Sequence, residues 1–303
     1  MLKFKRFPNE HVISTLVRKR VQLAFPSNNS FMNYISLNCA YPKTFDLCTQ
    51  VFNAALLIDG DNTKVNHSLV DGSSWASWRL SDSDKNLLES IETERNANLR
   101  QGELAFNRGW QFCLTCVRDD KKNYGVSYWH AQHQLPGITH CMKHQCPLYM
   151  APPMKSIDKL VLPQYIDLHK SQQHSNSSEL LKWSRFVYEI NEALTRFPHK
   201  GAEYKSALRN SLPIESNKVT DITQTCMSFM DQLESEVSYE VLQHLFKYYS
   251  RPNAKRRLNL IRSALINDDT VTVRNPVYYL ILMYWRRNQP ELIKVLNDVQ
   301  FAA

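Results

Sequence analysis

Glycine is scarce in this chain, with 7 residues among 303. That scarcity argues against a turn-rich all-β fold. It also leaves no Gly-rich phosphate loop of either kind, so the chain is not expected to hydrolyse nucleotides itself. Long apolar runs are missing too. The longest, Tyr278 to Trp285, is far short of the roughly 20 residues that a membrane-spanning helix needs. The opening Met1 to Pro8 carries charges with no apolar core behind them, so no secretory signal is expected. There is no His-Glu-x-x-His, no zinc-deaminase signature and no serine nucleophile elbow. No carboxylate pair stands apart from ordinary surface charge. An enzyme is not expected.

What is present is a chain that is 43% hydrophobic and 22% charged, enough for a sizeable core and two or three compact parts. Its seven cysteines are an odd number, and four of them, Cys113, Cys116, Cys141 and Cys146, fall in one stretch. This suits a reducing cytoplasm better than a disulfide framework. Cys39, Cys48 and Cys226 fall in apolar helical patterns and read as inert core residues.

The stretch from Phe112 to Leu148 organises the rest. Cys113 and Cys116 have two residues between them, and after a spacer of 24 so do Cys141 and His144. A two-residue gap lets both side chains of a tight turn face one ion, and two such turns supply the donors of a closed tetrahedral zinc site. The first pair alone would also suit a thiol oxidoreductase. Four protein ligands leave no open position for water or substrate. A catalytic zinc would need one ligand displaced, with His130, His133, His140 or Cys146 as substitutes. The three histidines read instead as supporting or surface groups.

Charge is unevenly placed. Residues 1–25 hold six Lys/Arg against Glu10, and residues 241–303 hold ten against four acids. With a whole-chain charge of +8, the middle is mildly acidic. Basic ends suggest a polyanion, most simply nucleic acid, although solvated helix faces would look the same. Arg18 and Lys19 are candidate contacts at the first end. At the second they are Lys255, Arg256, Arg257, Arg262, Arg286 and Arg287, behind Lys247 and Arg251 with Tyr248 and Tyr249 interleaved.

The expected fold is mainly α. A helix opened by Asn9 carries an apolar stripe of Ile13, Leu16, Val17, Val21 and Ala24 and ends before Pro26. A short segment from Ser30 to Cys39 follows, then a helix opened by Thr44. Three short elements in this space have the rhythm of a helix-turn-helix unit, or of any small bundle. Residues 59–75 read as an exposed loop, and a helix is expected from Ser83 to about Asn98. Extended pieces around Trp110–Phe112 and Val126–Trp129, with a turn at Leu135-Pro136-Gly137, suggest a small zinc-ribbon-type module. Beyond Pro153 helices are expected over Leu180–Phe197, Val219–Leu233, Tyr239–Tyr249, Ala254–Ile266, Pro276–Trp285 and Pro290–Val299. The expected division is 1–105, an N-terminal helix-turn-helix-like unit; 106–152, the zinc module; and 153–303, a C-terminal helical bundle.

These residues resemble the TniQ/TnsD family, target-selection proteins of heteromeric transposons that include CRISPR-associated ones. The matching positions are Cys113-x-x-Cys116, Tyr124-Gly125, Tyr128-Trp129, Leu135-Pro136, Cys141-x-Lys143-His144 and Leu148, with Pro8 to Arg18 similar to the family's opening helix. The resemblance implies one structural zinc ion on Cys113, Cys116, Cys141 and His144. Leu114 stands where the family often has proline, and no further cysteine pair follows to hold a second zinc. It also implies a non-enzymatic, DNA-associated cytoplasmic adaptor, in some members dimeric. Such an adaptor joins a DNA site or an RNA-guided CRISPR effector complex to an AAA+ regulator ATPase, and so to the transposase. The alternatives are a free-standing zinc-containing DNA-binding regulator and a zinc-dependent hydrolase.

Overall fold

The computed structural model describes residues 5–39, 104–106, 109–154, 159–197, 200–212, 219–250, 260–261 and 276–297. The expected helices from Thr44, from Ser83 and over most of Ala254–Ile266 lie outside the described residues, as does the loop 59–75. The architecture is mainly helical, and the chain forms two compact units. Segments within Met1–Ser77 and Arg108–Ser177 make the first, and segments within Trp78–Asn107 and Ser178–Ala303 make the second.

The first unit is assembled around Trp129, whose side chain is fully buried. Helix α1, Val12–Gln22, begins two residues later than its sequence suggests. The reason is that residues 9–11 are drawn into extended pairing with the middle of the zinc stretch. His11 N–H donates to the Trp129 carbonyl at 2.8 Å, and Ala131 N–H donates to the Asn9 carbonyl at 2.7 Å. The cap is therefore His11, not Asn9, with Nδ1 accepting from the Ile13 N–H at 3.2 Å. Ser14 Oγ on α1 accepts the Trp129 N–H, and the Tyr128 hydroxyl donates to the Pro8 carbonyl. Helix α2, Asn28–Cys39, packs on α1.

A histidine cap that accepts a hydrogen bond at Nδ1 has to be neutral, and burial holds the His11 pKa down at about 3 from its ordinary 6.5, with Arg6 adding to the effect. The folded state thus binds fewer protons than the unfolded one between those values. Stability from this group is complete above pH 6.5. It falls as pH drops toward 3, by at most about 1.4 kcal/mol per unit. His11→Asn keeps a capping acceptor without the titration. Its urea midpoint is expected to fall less steeply below pH 6.5 than that of the parent, and equal slopes would refute the assignment.

In the same unit β1, Gln111–Phe112, pairs antiparallel with β4, Tyr149–Met150, which pairs with β5, Gln172–Gln173. Strands β2, His140–Cys141, and β3, Cys146–Pro147, form a separate hairpin. Helix α3, Leu114–Tyr124, begins within the Cys113–Cys116 knuckle and runs on toward the second. It ends at Gly125, whose φ of +74° is the left-handed conformation that favours glycine. Leu135-Pro136-Gly137 is the expected turn. Pro136 supplies the fixed φ, and Gly137, at φ +68°, supplies the left-handed position. Residues 159–174 close the unit, with the Trp129 Nε1–H donating to the Val161 carbonyl and Asn28 Nδ2 donating to that of Leu160.

The second unit holds α4 (Ser178–Arg196), α5 (Lys200–Asn210), α6 (Val219–Glu236), α7 (Tyr239–Leu245), α8 (Pro276–Arg286) and α9 (Pro290–Asn297). The stripe Leu180, Trp183, Val187, Ile190 and Leu194 on α4 is buried throughout, as its periodicity demands. Helix α8, apolar on almost every side, runs through the core against α4, α5 and α6. Cys226 is buried as expected. No described helix is long and apolar enough to cross a membrane.

Candidate metal centre

Three elements bring the donors together. Cys113 is the N-cap of α3 and Cys116 lies in its first turn, so the positive helix end faces both sulphurs. Cys141 ends β2, and the hairpin turn carries His144 back toward α3. One donor atom from each of Cys113, Cys116, Cys141 and His144 lies within 4.8 Å of all the others. His144 Nδ1 is 3.4, 3.3 and 3.6 Å from the three sulphurs, and Cys116 Sγ is 3.7 Å from Cys141 Sγ. Bonds of about 2.3 Å to sulphur and about 2.0 Å to nitrogen put the corners of a tetrahedron about 3.5–3.8 Å apart. The spacing therefore fits a tetrahedral ion of zinc size, and the group could bind one.

The cluster's supports are as informative as its donors. Asp119, on α3, receives the other ring nitrogen of His144, Nε2, at 3.2 Å and Lys143 Nζ at 2.7 Å. Lys143 first, and then His144, hold the Asp119 carboxyl below its ordinary range. A proton on Nε2 leaves the Nδ1 lone pair directed at the sulphurs, which is the arrangement a ligating histidine requires. Asp119→Ala is expected to weaken metal affinity about 10- to 100-fold in chelator competition. An unchanged affinity would remove Asp119 from this role.

His133 Nε2 lies 3.9 Å from Cys116 Sγ. Burial, with His130 nearby, lowers the His133 pKa to about 3, so the ring is neutral and can donate. His130 engages Asp120 at 3.0 Å, and His140 Nδ1 lies 2.8 Å from the Thr139 hydroxyl. All three histidines are buried, none is at the surface, and His133 reaches the donor cluster at Cys116.

Cys146 is different. Its sulphur is 3.5 Å from Cys113 Sγ, but it lies outside the mutually close set and is partly exposed. Cys146→Ser is expected to keep one metal per chain by elemental analysis, whereas loss of the metal would make Cys146 a ligand.

Without an ion, the crowded thiols cannot all ionise. Hydrogen bonds from Cys116 and Cys141 hold Cys113 well below the ordinary thiol range. The same contacts push Cys116 up and Cys141 up to about 11, and burial takes Cys146 up to about 12.

The basic residues expected to touch nucleic acid fare unequally. Arg18 corrects its expectation. Its side chain is 2% exposed, with Nε and Nη2 donating to the two carboxylate oxygens of Glu10, each at 2.8 Å. It cannot reach a phosphate. The neighbouring Lys19 is half-buried, and burial followed by Arg18 lowers its pKa. Arg286 is half-buried, donates to the Ser211 carbonyl at 2.6 Å and lies over Trp285, whereas Arg287 is exposed over Tyr284. Lys255, Arg256, Arg257 and Arg262 lie outside the described residues. Sequence reasoning missed Asp119 and α3 itself. The Asp119-Asp120 pair just inside the first knuckle was the available signal.

In this helical chain a four-donor cluster between α3 and a short hairpin could hold one metal ion. Residues 5–148 match the TniQ family, a transposon-associated target-selection family. Neither a curated protein nor a solved structure matches.

Proposed function

We propose that this protein is a non-enzymatic target-selection adaptor of a transposon, with one structural zinc ion on Cys113, Cys116, Cys141 and His144. It links a target, either a DNA site or an RNA-guided CRISPR effector complex, to an AAA+ regulator ATPase and thereby to the transposase. The observation that carries this reading is the TniQ match together with the closed character of the cluster it contains. Three buried cysteines and a histidine whose second nitrogen is engaged by Asp119 supply four ligands, which leaves the ion no open position for chemistry. On this reading the ion ties α3 to the β2–β3 hairpin, and α1 with α2 are the first helices of the helix-turn-helix-like unit. The fold would then serve as a docking platform, associated with DNA in the cytoplasm.

The test is affinity capture of the full chain from its host lysate, with and without nuclease. Recovery of an AAA+ ATPase supports the adaptor role. Effector subunits or a unique DNA fragment recovered with it identify the target arm. Absence of the ATPase under both conditions would favour a free-standing DNA-binding regulator.

A further inference from the structure

We propose that the solvent face of α3 binds the phosphodiester backbone of a nucleic acid through Arg118, Lys121 and Lys122. In sequence this helix looks almost neutral, because two aspartates stand beside three cations. The fold separates them. Asp119 is taken by His144 and Lys143, and Asp120, with its side chain 6% exposed, is taken by His130. Arg118, Lys121 and Lys122 are all exposed, and neither lysine forms an ion pair among the described residues. Arg118 makes only a 3.3 Å hydrogen bond to Thr115. The surface thus presents three positive charges, and the neighbouring carboxylate of Asp119, 36% exposed, is already engaged by Lys143 and His144.

Their spacing, i, i+3 and i+4, puts them on one side of the helix. The row is about 6 Å long, roughly the axial span of three successive phosphates on one strand, which lie about 3.4 Å apart. At its far end Tyr124 is exposed and stacks on Phe7 with centroids 4.5 Å apart, which brings the exposed Lys5 toward the same end. The scaffold is stiff for so polar a helix. Two ligand cysteines hold its first turn, the Asp120–His130 pair its middle, and Gly125 with the Phe7–Tyr124 stack its end.

Two lysines in a last turn also suit the negative helix terminus, but that does not account for Arg118 or for the engagement of both acids by other side chains. An acidic protein partner would call for an apolar anchor within the patch. Tyr124 is the one large exposed ring here among the described residues. A chain of regularly spaced phosphates asks only for cations.

This inference rests on the target-selection reading and adds to it a place where the target's nucleic acid is touched. The test uses the full, metal-loaded chain and fluorescence anisotropy with mixed-sequence duplex DNA and, separately, single-stranded RNA, over a range of salt. Arg118→Ala/Lys121→Ala/Lys122→Ala is expected to bind at least about 10-fold more weakly. The slope of log affinity against log salt should be shallower by about 0.9 per lost contact on the duplex, or about 0.7 on the single strand, and the probe that shows the larger loss identifies the source. Lys121→Arg/Lys122→Arg is expected to bind as the parent does. Metal content and melting temperature report folding. If the triple variant loses either, Lys121→Gln/Lys122→Gln replaces it, with two contacts' worth of slope lost. An unchanged slope in a folded variant, parent binding to neither probe, or equal binding to polyglutamate overturns the proposal. Capture of the ATPase by the same variant reads the adaptor role separately, so either idea can fail alone.

Discussion

Replacing Cys116 with serine is expected to abolish metal binding and to melt the knuckle region of the first unit. The Cys116 sulphur is buried and touches His144, Cys141 and His133. Serine removes a thiolate donor and strands the imidazole that served it. Structural zinc sites in small domains contribute apparent free energies of about 10–16 kcal/mol. Whole-domain stabilities are only about 5–15 kcal/mol, so the loss is not one the remaining core can absorb. Elemental analysis should give one metal per chain in the parent and none in the variant. The melting midpoint should drop by more than about 10 °C, and a strong chelator should do the same to the parent. A metal-free variant that melts like the parent would show that the ion is not structural. The pH dependence has a definite sign. Cys116 and Cys141 resist ionisation in the ion-free cluster, so binding must displace protons. Affinity measured by chelator competition should rise with pH and fall on acidification.

The second large effect is expected at Glu10 and Arg18, far from the cluster in sequence. The pair is buried and fully engaged. Glu10 accepts twice from the guanidinium and once from the Phe7 N–H at 2.9 Å. Arg18 also donates to the Lys5 carbonyl at 2.8 Å and lies 3.9 Å from the centre of the Phe7 ring. Removing one partner leaves an uncompensated buried charge, which destabilises by about 3–5 kcal/mol. Glu10→Ala and Arg18→Ala should each show this in urea unfolding. The double variant Glu10→Leu/Arg18→Met should regain most of the loss, because apolar groups of similar volume leave no stranded charge. If Arg18→Ala shifts stability by less than about 1 kcal/mol, the pair behaves as a surface salt bridge and its assigned role is wrong. Glu10→Gln, which keeps the acceptor and the shape, serves if the alanine variants do not accumulate.

The metal cluster was legible in the sequence because ligand spacing is a local property. Two residues between donors form a knuckle whatever surrounds them. The amphipathic helices were legible for a similar reason. The stripe on α4 needs only a periodic backbone and a core to face, and Leu135-Pro136-Gly137 needs only its own dihedral preferences. Helix α3 left no such trace. Among its residues Cys116 and Asp120 are the buried ones, so what anchors it is a donor sulphur and a buried carboxylate, and an apolar period never arises. Helix α5 was missed because much of its inward face is small, with Gly201 and Ala207 beside Tyr204 and Leu208.

Tertiary structure alone decided where charge would act. By pattern Arg18 lay off the apolar stripe and read as exposed. Yet α1 is enclosed on more than one side, with Ser14 and Thr15 buried as well as Ile13, Leu16 and Val17, and Glu10 arrives from the extended segment before it. In the Arg118–Lys122 run two aspartates stand among three cations, and a sequence counts charges without direction. Once the chain folds, His144 and Lys143 engage Asp119, His130 engages the buried Asp120, and the cations remain exposed. Sequence determines which charges a helix carries. Long-range contacts determine which of them the solvent meets, because a carboxylate satisfied from within no longer screens the cation beside it.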